Sequence, residues 1–216
     1  WNVSVEQVAY AREQAEKQQL EGRVEFILDD WRNASCRCDA LVSVGMLEHV
    51  GPDHYAELGA LIRRVLAPEG LALVHSIGRA APLRLNRWIV KRIFPNAHPP
   101  ALSEAMRIVE PNGFAVLDVE NLRRHYALTL DVWAERFDRN WEKIRALDPK
   151  RFDERFRRIW RVYLYGCAEM FRAPTGKTHL FQVVFSKGNT TSYPMTRDFL
   201  YEKVRQAAVP RRVGHG

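Results

Sequence analysis

Val42-Ser43-Val44-Gly45-Met46-Leu47-Glu48-His49-Val50-Gly51 is the stretch on which the reading of this chain turns. An apolar run, Ala40 to Val44, ends in a glycine; a carboxylate, an imidazole and a second glycine follow. The pattern predicts a buried strand whose C-terminal end delivers Glu48 and His49 into a cleft. In open α/β sheets the carboxyl ends of strands are where ligands bind. The decamer also fits a plain strand-to-helix corner with Glu48 solvated in the first turn, so its surroundings decide.

Downstream, Pro52-Asp53 starts a helix through Leu66, with Leu58, Leu61, Ile62, Val65 and Leu66 inward. Ala67 to Gly70 is a turn, and Leu71-Ala72-Leu73-Val74-His75-Ser76-Ile77-Gly78 a second buried strand. Upstream, Ser4 caps a helix to Leu20, with Gln7 completing a capping box and Gly22 stopping it. Val24 to Leu28 reads as a strand, and Asp29 to Asn33 as the loop at its end. Strands thus alternate with helices, and two successive strands end in ionisable residues, a doubly wound α/β pattern.

Further on, Leu83 to Phe94 is a basic amphipathic segment, and Phe94 to Pro100 is a loop that cannot be helical. Leu102 to Val109 is a short helix and Phe114 to Val119 a strand. Two long aromatic-rich helices are expected over Leu128–Leu147 and Pro149–Phe171, with Pro149 in the first turn of the second. Leu180 to Ser186 is the last strand. The expected division is one domain over 1–188 and a basic, extended tail over 189–216 carrying Arg197, Lys203, Arg205, Arg211 and Arg212.

Composition excludes several classes. The chain has 216 residues, 46 % of them hydrophobic, enough for one domain with a sizeable core. No apolar run approaches the about 18 residues of a membrane span. The N-terminal residues show no secretory signal, and they lack an initiator Met. Three cysteines, Cys36, Cys38 and Cys167, fit free thiols in a reducing compartment. Cys36-Arg37-Cys38 is not a zinc spacing, and no metal is expected. The net charge of +7 favours an anionic partner, nucleic acid or a membrane surface. No nucleic-acid readout motif is present.

Taken together, four stretches give the chain a likeness. They are the opening decamer; Leu73-Val74-His75-Ser76-Ile77-Gly78; His125-Tyr126-Ala127-Leu128-Thr129-Leu130 with Trp133; and Tyr163-Leu164-Tyr165-Gly166-Cys167-Ala168 running to Phe171-Arg172. In order and context, from Ser4 to Ser186, the chain resembles the C-terminal two thirds of a cyclopropane-fatty-acyl-phospholipid synthase, in the group of the mycolic acid cyclopropane synthases. The resemblance implies a class I methyltransferase sheet and S-adenosylmethionine (SAM) as cofactor. It implies methylation of a cis double bond in a phospholipid acyl chain, followed by ring closure, in a bacterial enzyme of lipid biosynthesis. An alkene is a poor nucleophile, so such a site must stabilise positive charge on the chain, exclude water and remove a proton from the new methyl.

In that family a bound bicarbonate is thought to be the base. The resemblance places its cradle on Glu48, His75, the Ile77 amide and Tyr126, with Glu48, His75 and Tyr126 catalytic. A carboxylate orients bicarbonate by accepting its O–H, while an imidazole and a phenol can donate to its oxygens. The residues alone leave His75 open as a core histidine and Tyr126 as a packed aromatic. The family's cysteine ligand has no counterpart among the three cysteines here. On the SAM side the resemblance implies Ser4 and Gln7 at the ribose and methionine moiety. It puts Asp30 and Trp31 around adenine, where edge packing of Trp31 stays open, and gives Gly45 a close backbone approach. His49 is expected only to support the turn.

The family's glycine-rich loop after the first strand has no counterpart, nor does most of the second strand. The chain is therefore expected to be a truncated form, with an open edge between the Val24–Leu28 and Ala40–Val44 strands. The implied partners are unsaturated phospholipid acyl chains at the inner face of the membrane, reached from the cytoplasm, and a homodimer is compatible. Two other readings stay open. One is a SAM methyltransferase that acts on a small amine or branches a lipid; the other is an inactive remnant that binds lipid or a partner.

Overall fold

The structure, a computed structural model, describes residues 1–201. Lys203, Arg205, Arg211 and Arg212 of the expected tail lie outside the described residues. Four strands, β1 (Cys38–Val44), β2 (Leu66–Arg79), β3 (Ala115–Asn121) and β4 (Thr178–Ser186), form one sheet in the order β1-β2-β4-β3. β1 and β2 are parallel, joined by a helical crossover, and β4 is antiparallel to both its neighbours. The helices are α1 (Val5–Lys17), α2 (Leu47–Val50), α3 (Tyr55–Val65), α4 (Arg87–Arg92), α5 (Leu102–Val109), α6 (Arg123–Arg139), α7 (Trp141–Leu147) and α8 (Glu154–Arg172).

Residue alternation along β2 divides the molecule into two layers. Ala72 and Val74, with Val183 and Phe185 of β4, face α3 and α5 through Leu58, Ile62 and Ile108. The other face carries Leu71, Leu73, His75, Ile77 and Arg79 of β2, whose register partners on β4 are Ser186, Val184, Gln182, Leu180 and Thr178. Ile77 and Leu180 of this row lie in a second core with Leu130, Leu164 and Phe171 of α6 and α8. Among the described residues no helix is long and apolar enough to cross a membrane.

Several expectations are corrected. Val24–Leu28 is not a strand. It makes only isolated bridges, Glu21 with Val24 and Asn2 with Leu28, because no described strand lies beside it to continue a ladder. The turn at Ala67–Gly70 falls inside β2, where the β1 partners jump from Leu66 to Leu71. The basic amphipathic segment Leu83–Phe94, for which no helix bounds were expected, is helical over Arg87–Arg92, where the Asn86 side chain accepts from the Trp88 amide (2.8 Å) and caps the start.

The first long helix is two, α6 and α7, divided at Asn140. Pro149 lies in a turn rather than in α8: Asp148 Oδ1 accepts from the amides of Lys150 (3.0 Å) and Arg151 (3.1 Å). Asp153 then starts α8 by accepting from the Phe156 amide (2.7 Å). The described part of the tail is not extended. It bends back, so that Arg197 Nε (2.7 Å) and the Tyr193 hydroxyl (3.2 Å) both donate to Asp118 of β3.

Candidate active site

The opening decamer folds as β1, a turn and α2. Gly45 supplies the turn at φ 66°, a left-handed conformation that suits glycine. Its amide donates to the carbonyl of His75 (2.9 Å), which ties the end of β1 to β2. α2 then directs Glu48 inward, and the residue is 7 % exposed. Glu48 Oε1 accepts from the Ile77 amide at 2.6 Å. Glu48 Oε2 is fully buried and has no partner among the described residues. Burial pushes the carboxyl above its ordinary range, while the backbone amides of Glu48 and Ile77 and the nearby His49 pull the other way. The backbone is pinned as well: the His98 amide donates to the Glu48 carbonyl (2.7 Å), and the His49 ring meets Phe94 edge-on (6.2 Å).

His75 lies two residues before Ile77 on the same face of β2, roughly 7 Å along the strand. Burial holds its ring below the ordinary imidazole range, so it is neutral near pH 7. Gln182 Nε2 meets His75 Nδ1 at 3.1 Å. An amide nitrogen only donates, so Nδ1 accepts and the ring proton sits on Nε2. Tyr126, in the first turn of α6, packs edge-on against Phe171 (4.9 Å) and Trp133 (6.0 Å). Burial raises its hydroxyl, and the charges of Glu48 and Cys167 add to the effect, which places all three groups within electrostatic reach. The Cys167 thiol is itself pushed up to about 11 by burial.

Glu48 is thus bonded at Ile77, Tyr126 feels its charge, and His75 lies two residues before Ile77 on the same face of β2. One expected role changes: the Ile77 amide serves Glu48 itself. Sequence reasoning missed Gln182, which fixes the His75 tautomer and is joined to it only by strand pairing.

The residues expected at SAM are arranged differently. Ser4 caps α1, accepting from the Gln7 amide (3.3 Å), and Gln7 Oε1 accepts from Asn2 Nδ2 (2.8 Å). Gln7 also borders an open depression of about 530 Å³ with Trp1, Tyr10 and Phe26. Asp30 accepts from the Arg32 amide (2.9 Å), and this bond holds its carboxyl below the ordinary range. Trp31 packs against the first core, and the Arg32 guanidinium covers its ring at 4.4 Å. Stacking of adenine on that ring would require Arg32 to move. Beside Gly45 the space is open, with nothing within 4 Å of where a Cβ would stand.

The sheet order, the antiparallel β4 and the site at the carboxyl ends of β1 and β2 define a class I, SAM-dependent methyltransferase fold, which solved methyltransferases share. Residues 2–183 match the family model for mycolic acid cyclopropane synthetase, and the chain belongs to that family. It is 39 % identical over 192 residues to the cyclopropane-fatty-acyl-phospholipid synthase of Escherichia coli K12, a match covering 87 % of this chain and 48 % of that protein. It is 33 % identical over 210 residues to a "Probable fatty acid methyltransferase" of Pseudomonas putida, covering 92 % of this chain and 52 % of that one. Among solved structures, mycolic acid cyclopropane synthase CmaA1, complexed with SAH and CTAB, superposes with a TM-score of 0.67 at 30 % identity, covering 80 % of this chain and 66 % of that one. The chain spans about half the length of the curated relatives it matches.

Proposed function

We propose that this chain carries the acyl-modifying face of a SAM-dependent synthase that transfers a methylene to the cis double bond of an unsaturated phospholipid, with bicarbonate as general base. The observation that carries the reading is Glu48 Oε2, a buried acceptor with nothing to accept from, on a carboxylate bonded at Ile77, two residues along β2 from His75. Orphaned buried acceptors are costly, and a hydroxyl-bearing anion would satisfy this one. Glu48 would take the O–H of bicarbonate, and His75 Nε2–H and the Tyr126 hydroxyl would donate to its oxygens. The Ile77 amide is left out of this set because it already serves Glu48. SAM, when bound, would supply an electrophilic methyl. Gly45 would border it through the open space beside its backbone, and Ser4 and Gln7 at the start of α1 with Asp30 and Trp31 in the Asp30 turn would supply further contacts.

The lipid partner is supported by charge. Arg84, Arg87, Lys91 and Arg92 are exposed, while Trp88, Ile89, Ile93 and Phe94 pack inward on the second core. The apolar side of α4 is therefore spent within the protein, and attraction to an anionic bilayer would be electrostatic and salt-sensitive. A second reading, methyl branching without ring closure, has the Pseudomonas putida relative's name in its favour.

One assay tests both. Vesicles of unsaturated phospholipid and isotope-labelled SAM are incubated with the protein, and the acyl chains are analysed by mass spectrometry. Cyclopropane chains are expected. Labelled chains that still react as alkenes or carry a branch support the second reading, and no labelled lipid overturns both.

A further inference from the structure

Arg79 ends β2 and Thr178 begins β4, and the two are register partners. Cross-strand partners of this kind point to the same face of a sheet. Each side chain has one buried polar atom left unsatisfied. Arg79 Nε is buried without an acceptor, and no carboxylate pairs with this guanidinium among the described residues. Thr178 is 7 % exposed, and its Oγ1 is buried without a partner. The neighbouring backbone is already committed: the Arg79 amide donates to the Pro100 carbonyl (2.9 Å) and the Ala80 amide to that of Lys177 (3.0 Å). A guanidinium with its Nε buried and a buried hydroxyl, on paired positions of adjacent strands, lack one thing that serves both, an anion with several acceptor oxygens.

The position of the pair narrows the choice. Arg79 lies on the same face as His75 and Ile77, two residues beyond the Ile77 whose amide holds Glu48 and so roughly 7 Å along the strand from that contact. The exposed cations from Arg84 onward follow directly in the chain.

We propose that Arg79 and Thr178 bind the phosphodiester of the lipid whose acyl chain reaches Glu48, the guanidinium and the threonine O–H both donating to phosphate oxygens. This rests on the lipid reading above.

Calorimetry on the whole chain tests it with three probes: dihexanoylphosphatidylglycerol, uncharged dihexanoylglycerol and inorganic phosphate. Arg79→Gln should weaken the phosphatidylglycerol at least tenfold and leave the uncharged lipid within twofold. Thr178→Val should weaken the former several-fold, and Thr178→Ser should restore it. Equal loss for both lipids, or no loss for either, overturns the site. Arg79-dependent binding of inorganic phosphate without binding of phosphatidylglycerol overturns the lipid assignment. Should Arg79→Gln fail to fold, the Arg79 Nε–H resonance of the wild type is read instead. Phosphatidylglycerol must shift it and slow its exchange, and an unmoved resonance overturns the proposal. Binding needs no turnover, so absence of modified lipid would count against the proposed function and leave this result standing.

Discussion

Glu48 sits where its own charge is disfavoured, with one oxygen on the Ile77 amide and the other on nothing described. An acid whose native pKa is raised holds more protons folded than unfolded between the two values. Stability therefore falls as pH climbs from the unfolded value, about 4.3, towards the raised native one, and the loss is complete above it. Glu48→Gln removes that titration. Its unfolding free energy in urea, followed from pH 4 to 8, should decline less than that of the wild type; parallel profiles would show that burial does not strain Glu48. In a full-length enzyme the same variant should keep SAM binding and lose roughly 100-fold in kcat, the scale of a lost acid–base function. Unchanged turnover would remove Glu48 from the mechanism. Gln182→Glu places an acceptor where the structure has a donor, so neutral His75 should move its proton to Nδ1. ¹⁵N NMR of the ring at alkaline pH reads this directly, and the same tautomer in both proteins would free His75 from Gln182. The family resemblance pointed to Glu48, His75 and Tyr126 through short stretches of sequence, whereas the residues alone left His75 and Tyr126 open as core side chains. Gln182 carried no such signal, since it sits 107 residues from His75 and meets it only through strand register.

At the scale of elements, caps and turns decided what periodicity left open. The helical period of Leu128–Phe171 was legible. The breaks were set by Asn140, Asp148 and Asp153, short polar side chains that satisfy backbone amides or carbonyls locally. Asp153→Ala should destabilise the protein by about 1 kcal/mol by unfastening α8, measured by thermal or urea unfolding. No change in the midpoint would mean that packing alone holds that end. Val24–Leu28 shows the reverse case, a residue pattern suited to a strand that stays irregular for want of a neighbour. α4 was legible as basic and amphipathic, but which of its faces the protein would keep was not. Substituting Arg87, Lys91 and Arg92 together with glutamate should abolish co-sedimentation with anionic vesicles at low salt and leave binding to neutral vesicles unchanged. An equal loss on both would show that α4 does not meet the bilayer by charge.

Across the whole molecule, the expected open edge is found at β1, where Val42 and Val44 are 67 % and 64 % exposed on the face that carries His75. An uncovered apolar strand edge favours self-association. Val42→Lys should raise the monomer fraction of this chain in size-exclusion chromatography, and an unchanged profile would show that β1 is not the adhesive surface. The sheet order has a temporal side too. β4 is inserted between β2 and β3 yet follows both in the chain. Until Thr178 to Ser186 have emerged, β2 and β3 have no strand to join them, and His75 has no Gln182. A nascent chain can wind α3 and α5 onto β2 early, but its chemistry is assembled only once β4 has emerged. A message cut short before that point would yield a protein with its glutamate in place and its histidine unset.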